Sequence, residues 1–319
     1  MKLAVTGGAG FIGSYLAKEI TNQGHTLVII DSLLRGKLEN LNPLKDYEFH
    51  KIDIRDYEKL KDSLRNVDGI FHEAALTDVQ ESFTRNDEYI DVNVRGTENI
   101  FKIAKEFGIK VVYASSSSVY GNPERIPIAE DSKRKPINPY GNTKLEDEFL
   151  AEKYTRDGVS IIGLRYFNVY GRGQTGSYAG VITKFNNQLK EKKSPIIFGN
   201  GAQIRDFIFV EDVAKANLVA MKSRINNGFF NVGTGITTSI NHLAETMIEL
   251  SGMRLMPQYK NPLEGDVQSS QADTTLIRKI LGWKHITELK DGLANSAIWL
   301  HLVEIIADIT GTLDIDCKR

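Results

Sequence analysis

The chain has 319 residues, ordinary apolar and charged content, and a formal net charge of -1. That length suits one large or two small domains, and the near-neutral charge leaves no electrostatic case for nucleic acid or an anionic membrane. A single cysteine, Cys317, excludes an internal disulfide and a cysteine-based metal cluster, and no apolar run reaches the roughly 20 residues of a membrane span.

Lys2 to Val5 reads as a buried strand, with no signal peptide expected before it and a reducing cytoplasm as the expected setting. Glycines follow at 7, 8, 10 and 13, and Phe11 to Gln23 has helical spacing. Gly7, Gly10 and Gly13 fit a loop in which the backbone comes close to a pyrophosphate and the new helix lies close on the strand. The helix start, with Phe11 and Ile12, offers unpaired N–H groups to the phosphates. Thr26 to Ile30 is a second strand ending at Asp31, 18 residues after Gly13. A carboxylate there suits the adenosine ribose hydroxyls and repels a 2′-phosphate. NAD is therefore expected, with Arg35 and Lys37 nearby keeping NADP open.

Tyr47 to Lys51 is a third strand, followed by Asp53 and Ile54 where they can reach the adenine edge. A helix over 56–66 leads to a fourth strand, Gly69 to His72. It runs into Glu73-Ala74-Ala75, where the small Ala74 and Ala75 let a cofactor pass close overhead. The spacing predicts one long helix from Asp87 to Phe107, with Asn93 inside it, and a fifth strand from Ile109 to Ala114. Alternation of strand and helix argues for a doubly wound parallel α/β sheet covered on both faces.

A serine cluster, Ser115 to Ser118, lies at the ligand end of the fifth strand. After a proline-rich irregular segment a helix opens at Tyr140. Tyr140 and Lys144 stand one turn apart on one face. A tyrosine is a poor base near its ordinary pKa of about 10; an ammonium one turn away and a cationic nicotinamide favour its phenolate, which can take a proton from a substrate hydroxyl as hydride leaves the same carbon.

The order of glycine loop, acidic residue, serine strand end and Y-x-x-x-K resembles the extended short-chain dehydrogenase/reductase superfamily. Within it the chain resembles the nucleotide-sugar 4-epimerases, over roughly residues 1 to 295. The resemblance implies a Rossmann unit over 1–168, to which 205–250 return in part, and a smaller α/β substrate-binding unit over 169–204 and 251–319. It implies bound NAD and a UDP-hexose substrate. Tyr140 is the expected base, with Lys144 and Ser116 assisting. Asp31, Asp53, Ile54, Asn93 and Tyr166 match cofactor positions. Asn168, Val181, Phe198, Arg205, Asp266 and Ser270 match the substrate side, and Gly265 and Asp273 fall in the same late element. Leu263 stands where relatives carry a diphosphate-binding arginine; Lys260 and Arg254 are candidate replacements. A small residue at Ser270 implies that N-acetyl sugars are accepted. A homodimer is expected through helices 87–107 and 140–156. No metal, nucleic acid or membrane partner is expected. A terminal amphipathic helix over 289–309 is expected to cap the substrate unit. The alternatives are a 4,6-dehydratase, decarboxylase or 4-reductase of nucleotide sugars, or a non-catalytic dinucleotide sensor. The first two carry acids where this chain has Ser117 and Ser118.

Overall fold

The computed structural model describes residues 1–174, 180–263 and 267–296. Seven parallel strands form the central sheet: β1 (Lys2–Thr6), β2 (Thr26–Ile30), β3 (Glu48–His50), β4 (Gly69–His72), β5 (Lys110–Ser116), β6 (Ile161–Tyr166), and a last strand, Asn227–Val232. Their order across the sheet is Asn227–Val232, β6, β5, β4, β1, β2, β3. The order reverses between β1 and β4, and a crevice opens there at the carboxyl ends, where doubly wound sheets bind ligands.

Strands such as β1 and β4 are apolar without alternation because both of their faces are covered. One face packs helix α1 (Phe11–Asn22) and helix Val210–Lys222 over Leu3, Val5, Leu27 and Leu164. The other packs helices Gly96–Phe107 and Pro139–Arg156 over Ala4, Val28, Ile70 and Val111. A third apolar cluster, with Tyr170, Phe185, Phe209, Leu243, Met247 and Leu293, lies beside the sheet. Within 205–250, Val210 to Val232 packs on the sheet and helix Ile240–Leu250 joins the third cluster alongside Val181–Lys190; further on, Ile277, Leu281 and Trp283 pack on the sheet again.

One expectation changes. The run from Asp87 to Phe107 is not a uniform α-helix. Asn86–Tyr89 leads into a π-helical stretch, Ile90–Arg95, before Gly96–Phe107. Buried Asn93 sits in the wide turn and binds the backbone of Leu76, and π-turns recur where function bends a helix. Strand Gln258–Lys260 and helix Thr275–Leu281, which the periodicity did not reveal, are also present. Of the terminal helix, Leu289–Ser296 is described; the rest of 289–309 lies outside the described residues.

The helix carrying Tyr140 is fixed by its ends and its middle. Asn138 caps it, accepting from the Gly141 N–H at 2.8 Å, and Pro139 fills the first position. A Cβ on Gly141 would lie 2.9 Å from the Ser118 carbonyl, so glycine lets the helix seat on the serine turn. Two turns on, buried Glu148 accepts from Ser115 at 2.6 Å, from Arg165 at 2.8 Å and from Arg134 at 3.0 Å. That charge-assisted cluster latches the helix to β5 and β6.

Candidate active site

A cleft of about 370 Å³ runs across the carboxyl ends of β1, β2, β4, β5 and β6. Its walls bring together Gly7, Gly10, Phe11, Ile12, Gly13, Asp31, Asp53, Ile54, Ala74, Ala75, Ser116, Tyr140, Lys144 and Tyr166.

The glycine loop is built for close approach. Gly7 has φ +69°, and a Cβ there would lie 2.7 Å from the Ala74 amide. A Cβ on Gly13 would lie 2.2 Å from the Gly7 carbonyl. Gly10 caps α1 with no side-chain hydrogen bond, and no acidic residue stands in the first turn. The first N–H groups of α1 are therefore left to an anion. At the β2 end, Asp31 accepts from Ala9 N–H at 3.0 Å and Leu33 N–H at 2.8 Å. Burial pushes its carboxyl up, against the pull of these two donors. Arg35 lines the cleft beside it and pairs with Glu81 at 2.6 Å. Asp53 is bound by Arg55 at 2.7 Å, which holds its carboxyl below the usual range. A helix-start cradle with a carboxylate at the β2 end fits a dinucleotide without a 2′-phosphate.

At the other end lie Ser116, Tyr140 and Lys144. Ser116 Oγ accepts from the Ser118 N–H at 3.1 Å, which fixes its rotamer. Lys144 is buried; its Nζ donates to the Ala114 carbonyl at 3.1 Å and faces Asp147 Oδ2 at 3.2 Å. Burial alone would depress the ammonium, but Asp147, with Tyr140 and Glu73, raises its proton affinity above the ordinary value.

The remaining predicted residues are not in this cleft. Asn93 lies behind the cleft wall. It is fully buried, and its amide is consumed by the Leu76 N–H and carbonyl (2.8 and 2.9 Å) and by Thr143 (3.0 Å). Its neighbour Val92 lines the cleft instead. Phe198 lines a second hollow with Gln203, Tyr259 and Lys260. Asn168 donates to the Asp206 carbonyl at 3.2 Å. Arg205 and Ser270 are neighbours at one edge, where the Ser270 N–H donates to the Ile204 carbonyl at 3.2 Å. Val181 opens helix Val181–Lys190 and packs on the third cluster. None of these last four lines either hollow. Asp266 and Gly265 lie outside the described residues.

Two acidic residues near Lys144 escaped the sequence reading. Glu73 follows β4 as Asp31 follows β2, so its position at a strand's carboxyl end was a signal. Asp147 gave none beyond its place three residues after Lys144. Among the described residues, no helix is long and apolar enough to cross a membrane and no cluster of three or more His, Cys, Asp or Glu could hold a metal ion.

Sheet order, a glycine-rich helix start and a Tyr-Lys pair in one cleft point to a dinucleotide-dependent enzyme. The family model for the NAD dependent epimerase/dehydratase family matches residues 3–233, and the chain belongs to that family, with NAD as its cofactor. The chain is 38% identical to a putative UDP-glucose 4-epimerase of Methanocaldococcus jannaschii, covering 93% of this chain and 98% of that one. The UDP-glucose 4-epimerase of Thermotoga maritima, solved with UDP-glucose, superposes with a TM-score of 0.90 at 34% identity, over 95% of this chain and 100% of that one. A UDP-N-acetyl-alpha-D-glucosaminuronate decarboxylase of Bacillus cytotoxicus is 30% identical over 94% of this chain and 98% of its own length.

Proposed function

We propose that the chain interconverts UDP-hexoses at C4, taking UDP-glucose and UDP-galactose and their N-acetyl forms. One observation carries this reading: Ser116, Tyr140 and Lys144 line the same cleft as Asp31. NAD, when bound, supplies a hydride acceptor that can give the hydride back. Tyr140 takes the proton of the sugar 4-hydroxyl and returns it to the 4-oxygen after the planar 4-keto sugar has turned over. Ser116 hydrogen-bonds that oxygen, and Lys144 keeps a positive charge one helical turn from the base. The two epimers differ only in the face on which hydrogen sits at C4, so a 4-keto intermediate free to turn is sufficient.

Phe198 and Lys260 in the second hollow serve the nucleotide end, with Lys260 replacing the arginine that Leu263 displaces; Asn168, Arg205 and Ser270 complete the substrate side. The decarboxylase and dehydratase alternatives lack their acid, because Ser117 and Ser118 occupy the element after Ser116. Ile90 and Phe149 are exposed apolar residues on the two helical segments expected at a dimer interface, and light scattering should give twice the chain mass.

The test is to incubate the protein with each of the four UDP-sugars without added reductant. Interconversion of at least one pair is expected, and Tyr140→Phe should lower it by orders of magnitude. No conversion of any of the four, with NAD supplied, would sink the reading.

A further inference from the structure

Glu73 has no part in the reaction described above, yet it lines the cleft. It continues β4, its N–H donating to the Thr6 carbonyl at 3.1 Å. Its Oε1 accepts from the Tyr166 hydroxyl at 2.8 Å. That hydroxyl in turn accepts from Asn217 Nδ2 at 2.7 Å, so its proton is committed to Glu73. Tyr166 and Lys144 are the ionisable groups that act on it from neighbouring elements, and Tyr140 acts on Lys144 in turn. His72, next on its own strand, is turned away between Thr6 and Thr97, and Asp147 stands beyond Lys144. Glu73 therefore belongs to the Tyr140–Lys144 end, the end that takes the nicotinamide if Asp31 takes the adenosine ribose.

We infer that Glu73 is the counter-charge of the nicotinamide: its carboxylate favours the oxidised, positively charged cofactor over the reduced one and keeps the resident NAD ready to accept hydride. Uptake of one hydride, two electrons with one proton, cancels the positive charge of the ring. A fixed carboxylate beside it stabilises the oxidised form selectively, and in a water-poor cleft that preference is large. Burial pushes the Glu73 carboxyl up to about 7, against the pull of Tyr166 and Lys144. Near neutrality its charge is therefore adjustable, and a cation next to it favours the ionised form.

The inference rests on the cofactor site and not on the sugar. Failure of every epimerisation assay would leave the following test valid, and a negative result here would leave the epimerase reading standing. The cofactor-loaded full chain is equilibrated with a redox dye of known potential from pH 6 to pH 8.5, and the reduced fraction is read from nicotinamide absorbance. Glu73→Gln should raise the reduced-to-oxidised ratio roughly ten-fold at pH 8. In the unaltered protein, preference for the oxidised form should grow as pH rises through about 7, beyond the constant slope of the couple itself. That inflection should vanish in Glu73→Gln. Tyr166→Phe keeps the carboxylate but removes its donor, so the inflection should move to higher pH. Equal ratios in Glu73→Gln and the unaltered protein, or an inflection that Tyr166→Phe leaves in place, would overturn the inference.

Discussion

Lys144 Nζ lies 3.2 Å from Asp147 Oδ2, and both side chains are buried. The carboxyl is pushed up by burial and drawn back by the ammonium. Such a pair holds the lysine in one place and keeps it protonated against the effect of burial. Asp147 is thus a positioning residue that acts on the base through Lys144. Asp147→Asn keeps an oxygen acceptor and removes the negative charge. The basic limb of the kcat profile should then move to lower pH, because Lys144 loses the carboxylate that raises its proton affinity against burial. A profile displaced upward, or unmoved while kcat falls, would show that the pair has only a structural part.

Much of this site was legible in the residues. The glycine loop and Asp31 could be read because strand end, tight turn and helix start are close in sequence, and the chemistry of each follows from its place. Tyr140 and Lys144 could be read because a helix brings i and i+4 together whatever the tertiary structure does. The surroundings of Asn93 were not legible because they come from partners far along the chain, Leu76 and Thr143, which periodicity does not reveal. Glu73 and Asp147 were passed over for a related reason. Each draws its significance from a neighbour on another element or from burial. The break at Ile90–Arg95 is likewise a tertiary effect, since the apolar spacing there is compatible with a continuous helix.

The contact between α1 and the glycine loop leaves no room for a methyl group. A Cβ on Gly13 would lie 2.2 Å from the Gly7 carbonyl and 2.8 Å from Gly8 Cα. Both neighbours are backbone, so α1 must move off the loop. Gly13→Ala should cost about 1–3 kcal/mol in urea unfolding and should be recovered from purification with less NAD per chain. Full NAD occupancy with unchanged stability would contradict the close-packed loop.

Lys260 lies in the second hollow with Phe198 and Gln203. If it carries the diphosphate contact that Leu263 cannot make, Lys260→Ala should raise KM for a UDP-sugar about ten-fold with kcat changed little, since charge-assisted bonds to phosphate serve ground state and transition state alike. Lys260→Arg should restore most of the loss. An unchanged KM in the alanine variant would remove Lys260 from the substrate site.

His72 links stability to pH. Its ring is buried, with Nδ1 2.7 Å from the Thr6 hydroxyl and Nε2 2.8 Å from that of Thr97. Burial, helped by the nearby Lys144 charge, pushes the imidazole down to about 3, whereas in the unfolded chain it titrates near 6.5. Between those values the unfolded chain binds the proton and the folded protein does not. The stability associated with neutral His72 is therefore complete above about 6.5 and is lost as pH falls towards 3, by at most about 1.4 kcal/mol per pH unit. His72→Gln has no proton to take up. Its unfolding free energy, measured in urea at fixed cofactor concentration, should fall less steeply over that window, even if it starts lower at pH 8. Comparing the two proteins cancels the carboxylates that titrate in the same range. Parallel curves for the two would mean that the imidazole does not stay neutral in the folded protein.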